Sequence, residues 1–353
     1  MKTSVKMSSL SGLLPLYFPR ALGGLDDRLR AHWLMRGAGP CDISVVRRPS
    51  LPKAGLLVFE LRRGGAESLV VKHPRNEAGA AVAAREREVL QQLDADGRLD
   101  PWRPVLPRVV GSPSPGGTLV QNKLPGIPAE RLIRNTPDDP YAAVAPALRL
   151  LADLRTATGR RRKAADRALP WCESQLRDLF AGIPSYRSGR RAAEFQALRH
   201  RLDAALAGAV LTEGWTHGDY HPGNVLLGGD PLQVTGVFDW SSGQADGPCE
   251  IDAYTLVLAL RSTLSGRPLG GLVAETLRTG QVPDADRALL ALAGLDQDDH
   301  GVHDPVAIPL LTWLWHVANN VRKSPRFGHS YGWLTDTVAP VLREAARWAG
   351  SRP

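Results

Sequence analysis

The chain has 353 residues, 43% hydrophobic and 23% charged, with 35 Gly and 28 Pro. That apolar share excludes a disordered chain, and no run approaches the roughly 20 uninterrupted apolar residues of a membrane-spanning helix, so a soluble globular protein with no membrane partner is expected. The net charge of +8 invites a nucleic-acid partner, but the arginines are spread along the chain, and the one compact basic run, Arg160-Arg161-Arg162-Lys163, has no interleaved aromatics; it reads as a solvated helix end or loop.

The length suits two domains or one large two-lobed unit. Three cysteines, Cys41, Cys172 and Cys249, form no C-x-x-C pair and are too few for a disulfide framework, which points to a reducing, cytoplasmic setting. The apolar run Leu13 to Phe18 is short and broken by Pro15, so it reads as an ordinary N-terminal segment and not as a signal peptide.

Residues 42 to 75 suggest a small antiparallel meander: Ile43 to Val46, Gly55 to Leu61, then Ser68 to Lys72 after a Gly64-Gly65 turn. From Glu77 to Leu93 the period becomes helical. Gly116-Gly117 leads into a further short strand, Thr118 to Gln121, and Leu124-Pro125-Gly126 breaks the chain. Beyond it helical patterns dominate, over Tyr141 to Leu154, Ala192 to Leu206, Tyr254 to Arg261 and from Pro309 to Trp348, interrupted by one strand pair between Gly223 and Trp240. The expected fold class is α+β: a small antiparallel-sheet lobe over residues 1–122, a hinge near 121–126, and a larger, mainly helical lobe over 123–353. A cleft between lobes is where a small ligand usually binds.

The informative stretch is Thr216-His217-Gly218-Asp219-Tyr220-His221-Pro222-Gly223-Asn224, followed by Val225-Leu226-Leu227, the turn Gly228-Gly229-Asp230-Pro231, and Val237-Phe238-Asp239-Trp240. The two apolar runs form a hairpin, which puts Asn224 and Asp239 at its open end with Asp219 in the preceding loop. Phosphoryl transfer needs such a set: one carboxylate to accept a hydroxyl proton, and an amide with a second carboxylate to hold hard Mg²⁺. The spacing His217-x-Asp219-x-x-x-x-Asn224 is that of the kinase catalytic loop.

A lysine on the third strand and a helix glutamate complete such a site. Lys72 ends the strand Ser68-Leu69-Val70-Val71-Lys72. On the following helix, at about 100° per residue, Glu86 lies about 40° from Val82 inside the stripe of Val82, Val89, Leu90 and Leu93, whereas Glu88 points to about 240°. A carboxylate in an apolar stripe is costly without a cation, so Glu86 is expected to pair with Lys72, with Glu88 the solvated alternative.

His217, Asp219 and His221 at alternate positions also allow a metal-dependent hydrolase, for which His300 and His303 would have to supply further ligands.

Together, HGDYHPGN and VFDW resemble the aminoglycoside phosphotransferase and choline kinase superfamily. The resemblance spans roughly residues 40 to 345 and implies a protein-kinase-like fold. It also implies that Asp219 takes the acceptor proton, Asn224 and Asp239 hold Mg²⁺, and Lys72 grips the α- and β-phosphates. Backbone groups from Gln121 to Lys123 would receive the adenine of ATP, with GTP the alternative donor. Asp252, in Asp246-Gly247-Pro248-Cys249-Glu250-Ile251-Asp252, resembles the family's G-D-P-x-x-D aspartate with Gly and Asp inverted; it is expected to orient the catalytic loop through His217.

The loop Arg48 to Gly55 departs from the glycine-rich pattern, leaving Lys53 and Ser50 either phosphate contacts or solvated. Too few residues separate Asp239 from Asp252 for an activation loop. The expected partner is therefore a small-molecule hydroxyl acceptor and neither a protein nor a nucleic acid. An aminoglycoside or other antibiotic comes first; a sugar, choline-like alcohol or homoserine is the metabolic alternative, and a non-catalytic binding module the third. The acidic stretch Asp296, Asp298, Asp299 and Asp304 would suit a polycationic acceptor or simply solvent. Trp313, Trp315, His316, Asn319 and Asn320 form a sugar-facing wall or core, while Arg322 and Lys323 suit an anionic acceptor or the helix dipole.

Overall fold

The computed structural model describes residues 41–44, 55–63, 68–110, 117–135, 139–295 and 304–351. Two compact units emerge, Met1–Gln91 with Pro107–Leu124, and Gln92–Leu106 with Pro125–Pro353.

The first unit is built on a four-stranded antiparallel sheet, β1 (Cys41–Ser44), β2 (Leu56–Arg63), β3 (Leu69–Pro74) and β4 (Leu119–Asn122), in that order. Valine and leucine suit the pleat, and Val71, Leu57, Leu119 and Val120 are buried in it. Helix α1 (Glu77–Ala95) starts where the Asn76 side chain accepts the Gly79 N–H at 2.9 Å, a cap that satisfies an orphan donor. The turn Gly64-Gly65, the loop with Ser50 and Lys53, and Val45-Val46 lie outside the described residues.

The second unit takes up the end of α1. Residues 92–106, which the sequence places with the small lobe, belong here: Leu93, Leu99, Trp102 and Leu106 surround a small apolar cavity with Leu151, Leu154, Tyr220 and Trp240. Asp96 fixes the turn after α1, accepting from Arg98 and from the Trp215 indole at 2.8 Å.

From Pro125 the chain forms β5 (Ile127–Pro128), α2 (Ala129–Asn135), α3 (Ala145–Thr158), β6 (Arg160–Lys163), α4 (Ala164–Gly182), α5 (Gly189–Leu206) and β7 (Val210–Thr216). The hairpin β8 (Val225–Gly228) and β9 (Gln233–Val237) follows, then β10 (Gln244–Pro248), α6 (Glu250–Ser265), α7 (Leu269–Thr279), α8 (Asp284–Leu292) and α9 (Ala307–Lys323). A helical turn at Tyr331–Trp333 runs through a π-turn into α10 (Ala339–Gly350). The main core lies among α4, α5, α6, α7, α9 and α10, with Trp313, Leu310, Leu314 and Val317 of α9 fully enclosed.

Where the sequence suggests a single strand pair, this unit has two three-stranded sheets, β5-β8-β9 and β10-β7-β6. Strand β7 escaped notice because Thr212, Glu213 and Gly214 spoil its apolar alternation. The basic run Arg160 to Lys163 is neither helix end nor loop. It pairs antiparallel with β7 as a fully exposed edge strand, and like charges are a usual means of keeping such an edge from pairing further. Among the described residues no helix is long and apolar enough to cross a membrane.

Candidate active site

In the first unit, the register pairs Lys72 with Val58 on one side and Leu119 on the other. Its ammonium donates to both carboxylate oxygens of Glu86, at 2.7 and 2.8 Å, and both residues are almost fully buried. The buried stripe of α1 passes through Ala83, Glu86, Leu90 and Leu93, so the carboxylate sits in its middle, while Val82 is only half-buried. Glu88 is exposed and pairs with Arg85.

Gln121 and Lys123 stand at the end of the same sheet. The Lys123 N–H donates to the Ser68 carbonyl, and its ammonium pairs with the buried Glu60. The Asn122 N–H donates to the Arg108 carbonyl, and the Arg108 N–H goes to the Asn122 side-chain oxygen at 2.6 Å. The Asn122 amide thus takes a donor that would otherwise meet the residue's own carbonyl. The Gln121 side-chain oxygen is buried and has no hydrogen-bond partner among the described residues.

The second unit holds the other predicted residues. Asn224 caps the start of β8, and its carbonyl accepts the Phe238 N–H at 3.0 Å, one step beyond the Val225–Val237 pair. Asn224 and Asp239 are therefore neighbours at the open end of the hairpin. Asp239 is the one non-glycine described residue with positive φ, at φ 67° and ψ 52°, a left-handed conformation costing about 1 kcal/mol or more, of the kind held at working sites. The Asn224 Nδ2 donates to the Asp219 carbonyl at 3.0 Å, so its Oδ1 is the oxygen free to face a cation.

The loop before the hairpin is clamped from three sides. Asp252, in the first turn of α6, accepts the His217 N–H at 2.6 Å and the Gly218 N–H at 2.9 Å. It orients the loop through these amides and not through the imidazole. Burial, and the nearby Asp219 charge, push its carboxyl up to about 7 against the pull of those two donors. The His217 ring is fully used: Nδ1 accepts the Asp219 N–H, and Nε2 meets the Phe238 carbonyl at 2.9 Å, which fixes the Nε2–H tautomer. Trp240 packs against the ring with centroids 4.6 Å apart. Burial holds the imidazole down at about 4, so it is neutral. Gly218 has φ 73°, and a Cβ there would lie 2.6 Å from the Ser242 carbonyl; only glycine fits.

Asp219 faces groups that the sequence did not join to it. The Lys323 ammonium, at the end of α9, donates to Asp219 Oδ2 at 2.8 Å. One turn earlier Asn319 donates to the Gly218 carbonyl at 2.8 Å. Residues four apart share a helix face, so α9 holds both ends of the loop's central dipeptide; the signal was the polar pair Asn319-x-x-x-Lys323 in the last turns of a helix whose first half is mainly apolar. Burial raises the Asp219 carboxyl, but Lys323, His221 and His316 more than reverse this and leave it well below the usual range. His316 is itself held down at about 4 by burial. Trp313 is core, its indole donating to the Thr337 carbonyl.

Among the described residues no cluster of three or more His, Cys, Asp or Glu is arranged to hold a metal. With both His217 nitrogens engaged, the hydrolase alternative loses its first ligand, and His300 and His303 lie outside the described residues. So do Asp296, Asp298 and Asp299; Asp304 pairs with Arg201 at 2.6 Å and accepts the Val306 N–H just before α9.

A small antiparallel-sheet unit with a buried Lys–Glu pair, and a helical unit carrying this loop and hairpin, define a protein-kinase-like phosphotransferase of the small-molecule kinase class. The chain belongs to the phosphotransferase enzyme family (APH), which it matches over residues 54–315. Among solved structures it resembles APH(2")-IIa in a ternary complex with streptomycin and ATP (13% identity, 92% of this chain and 97% of that one, TM-score 0.54). It also resembles the GDP complex of aminoglycoside 2'-phosphotransferase-IIIa (14%, 92% and 98%, 0.52) and ADP-bound APH(2")-Ib (12%, 92% and 98%, 0.50). No curated protein matches the sequence.

Proposed function

We propose that the protein transfers the γ-phosphoryl group of ATP, with Mg²⁺, to a hydroxyl of a small molecule of the antibiotic type. The observation that carries this is the loop geometry: Asp219 held at one oxygen, with Asn224 and Asp239 adjacent at the hairpin end. Asp219 orients the acceptor hydroxyl and takes its proton. Asn224 Oδ1 and the Asp239 carboxylate are hard oxygen donors of the kind Mg²⁺ takes two of beside phosphate oxygens; the ion, when bound, supplies charge neutralisation of the phosphates. Lys72, fixed by Glu86, grips the α- and β-phosphates. Backbone groups of the segment Gln121 to Lys123 receive the base, with ATP the expected donor and GTP the alternative.

On this assignment the first unit is the nucleotide-binding lobe and the second carries the acceptor. A coupled assay of ATP turnover over a panel of hydroxyl acceptors tests it. Phosphorylated product is the expected result; nucleotide binding without transfer to any compound would instead indicate a binding module.

A further inference from the structure

Phosphoryl transfer by itself does not require a lysine at the end of the core helix α9 against the carboxylate that takes the proton. Lys323 is not a loose surface cation. Asn319, four residues before it on the same helix face, ties α9 to the Gly218 carbonyl in a buried hydrogen bond. Arg322 in turn holds the Asn319 oxygen and Asp178, which fixes the amide so that its nitrogen faces the loop. The helix end is therefore set against the loop before any ligand arrives, and Lys323 and Asp219 are each only about a quarter exposed (23% and 25%). The contact uses Asp219 Oδ2, and among the described residues Oδ1 carries no hydrogen bond. An ammonium has three donors, so Lys323 keeps two for a ligand beside Asp219.

We propose that Lys323 is a positioning and specificity residue of the acceptor site: it fixes Asp219 through Oδ2, leaves Oδ1 to the reacting hydroxyl, and selects an acceptor that is uncharged or anionic beside that hydroxyl. This rests on Asp219 being the proton acceptor in phosphoryl transfer.

The charges around this end of the unit fit. A polycationic acceptor would bring ammonium groups up to Lys323 and Arg322, and like charges placed together are an effective means of rejection. Among the described residues, two carboxylates on this side are already paired, Asp178 with Arg322 and Glu130 with Arg134. Asp304, the described member of the acidic stretch, pairs with Arg201 at the opposite end of α9, a helix of 17 residues and so about 25 Å long. Two half-buried groups near the loop, His316 and Asn320, bond to each other at 3.1 Å and add no negative charge.

The test compares an aminoglycoside bearing free ammonium groups, its fully N-acetylated form with the same hydroxyls, a neutral glycoside and a hexuronic acid. The enzyme variants are wild type, Lys323→Met and Lys323→Arg, each checked for folding by circular dichroism. Wild type is expected to phosphorylate uncharged or anionic compounds with kcat/KM at least about tenfold above the ammonium form. Lys323→Met should lower kcat and raise the acceptor KM, about tenfold each, leave KM for ATP unchanged and narrow the discrimination, while Lys323→Arg restores part of both. Preference for the ammonium form, or a Lys323→Met enzyme indistinguishable from wild type, overturns the inference while leaving phosphotransfer intact. If no compound is phosphorylated, phosphotransfer to this class fails; calorimetric binding of the two aminoglycoside forms then decides the charge selection, tighter binding of the ammonium form overturning it.

Discussion

The Asp252 carboxylate accepts the His217 N–H at 2.6 Å across 35 positions of sequence, and the next N–H of the chain, that of Gly218, binds its other oxygen. A single buried side chain in the first turn of α6 thereby sets the direction in which Asp219 leaves the loop. The pair also explains why an acidic residue tolerates full burial there: both its oxygens have donors, and it stands at the positive end of a helix.

Asp252→Asn keeps the shape but turns one acceptor into a donor facing an N–H. We expect a loss of about 2 kcal/mol or more in stability, the range for a buried bond to a charged group left unmade. Urea unfolding measures it, and an unchanged midpoint would mean that the two amides find other partners.

Acid should weaken the fold through His217. The unfolded imidazole takes up its proton near pH 6.5 and the folded one only near 4, so the contribution is complete above pH 6.5 and is lost progressively as the pH falls to 4. A separation of about 2.5 pH units corresponds to about 3 kcal/mol. His217→Gln should flatten the slope of unfolding free energy against pH within that window relative to wild type; equal slopes would contradict a buried neutral ring.

Removing one member of the Lys72–Glu86 pair takes from its buried partner the opposite charge it faces at 2.7 Å. Lys72→Met is expected to cost about 3–5 kcal/mol and to abolish ATP binding, and Glu86→Gln added to it should recover much of the stability without recovering binding. Thermal unfolding and nucleotide titration of the single and double variants separate the two effects.

Asp219 and Asp239 should fail differently. Asp219→Ala is expected to leave the apparent affinity for Mg·ATP nearly unchanged and to lower kcat by about 10²–10⁴, the usual worth of a positioned base. Asp239→Ala should raise the KM for Mg·ATP, and excess Mg²⁺ should relieve part of that defect. The reverse pattern would exchange their roles.

Much of this was legible in one dimension because it is local. The period of α1 put Glu86 and not Glu88 on the inward stripe, the turn between β8 and β9 put Asn224 beside Asp239, and the order of strands, break and helices announced a small sheet unit followed by a larger helical one. Each follows from backbone geometry over a dozen or so residues. Strand β7 was missed for the same reason in reverse: its burial comes from neighbours on both sides, so its sequence carries no alternation to read.

The sequence by itself determined which residues have the chemistry for phosphoryl transfer and in what order they occur. Tertiary structure alone decided what surrounds them: that Asp252 holds amides and not the imidazole, that Asn319 grips the Gly218 carbonyl, and that Lys323 meets Asp219 across 104 positions. Those contacts depend on how α6 and α9 pack in the shared core, a matter of side-chain volumes from many distant segments, and no local pattern encodes where a packed helix ends.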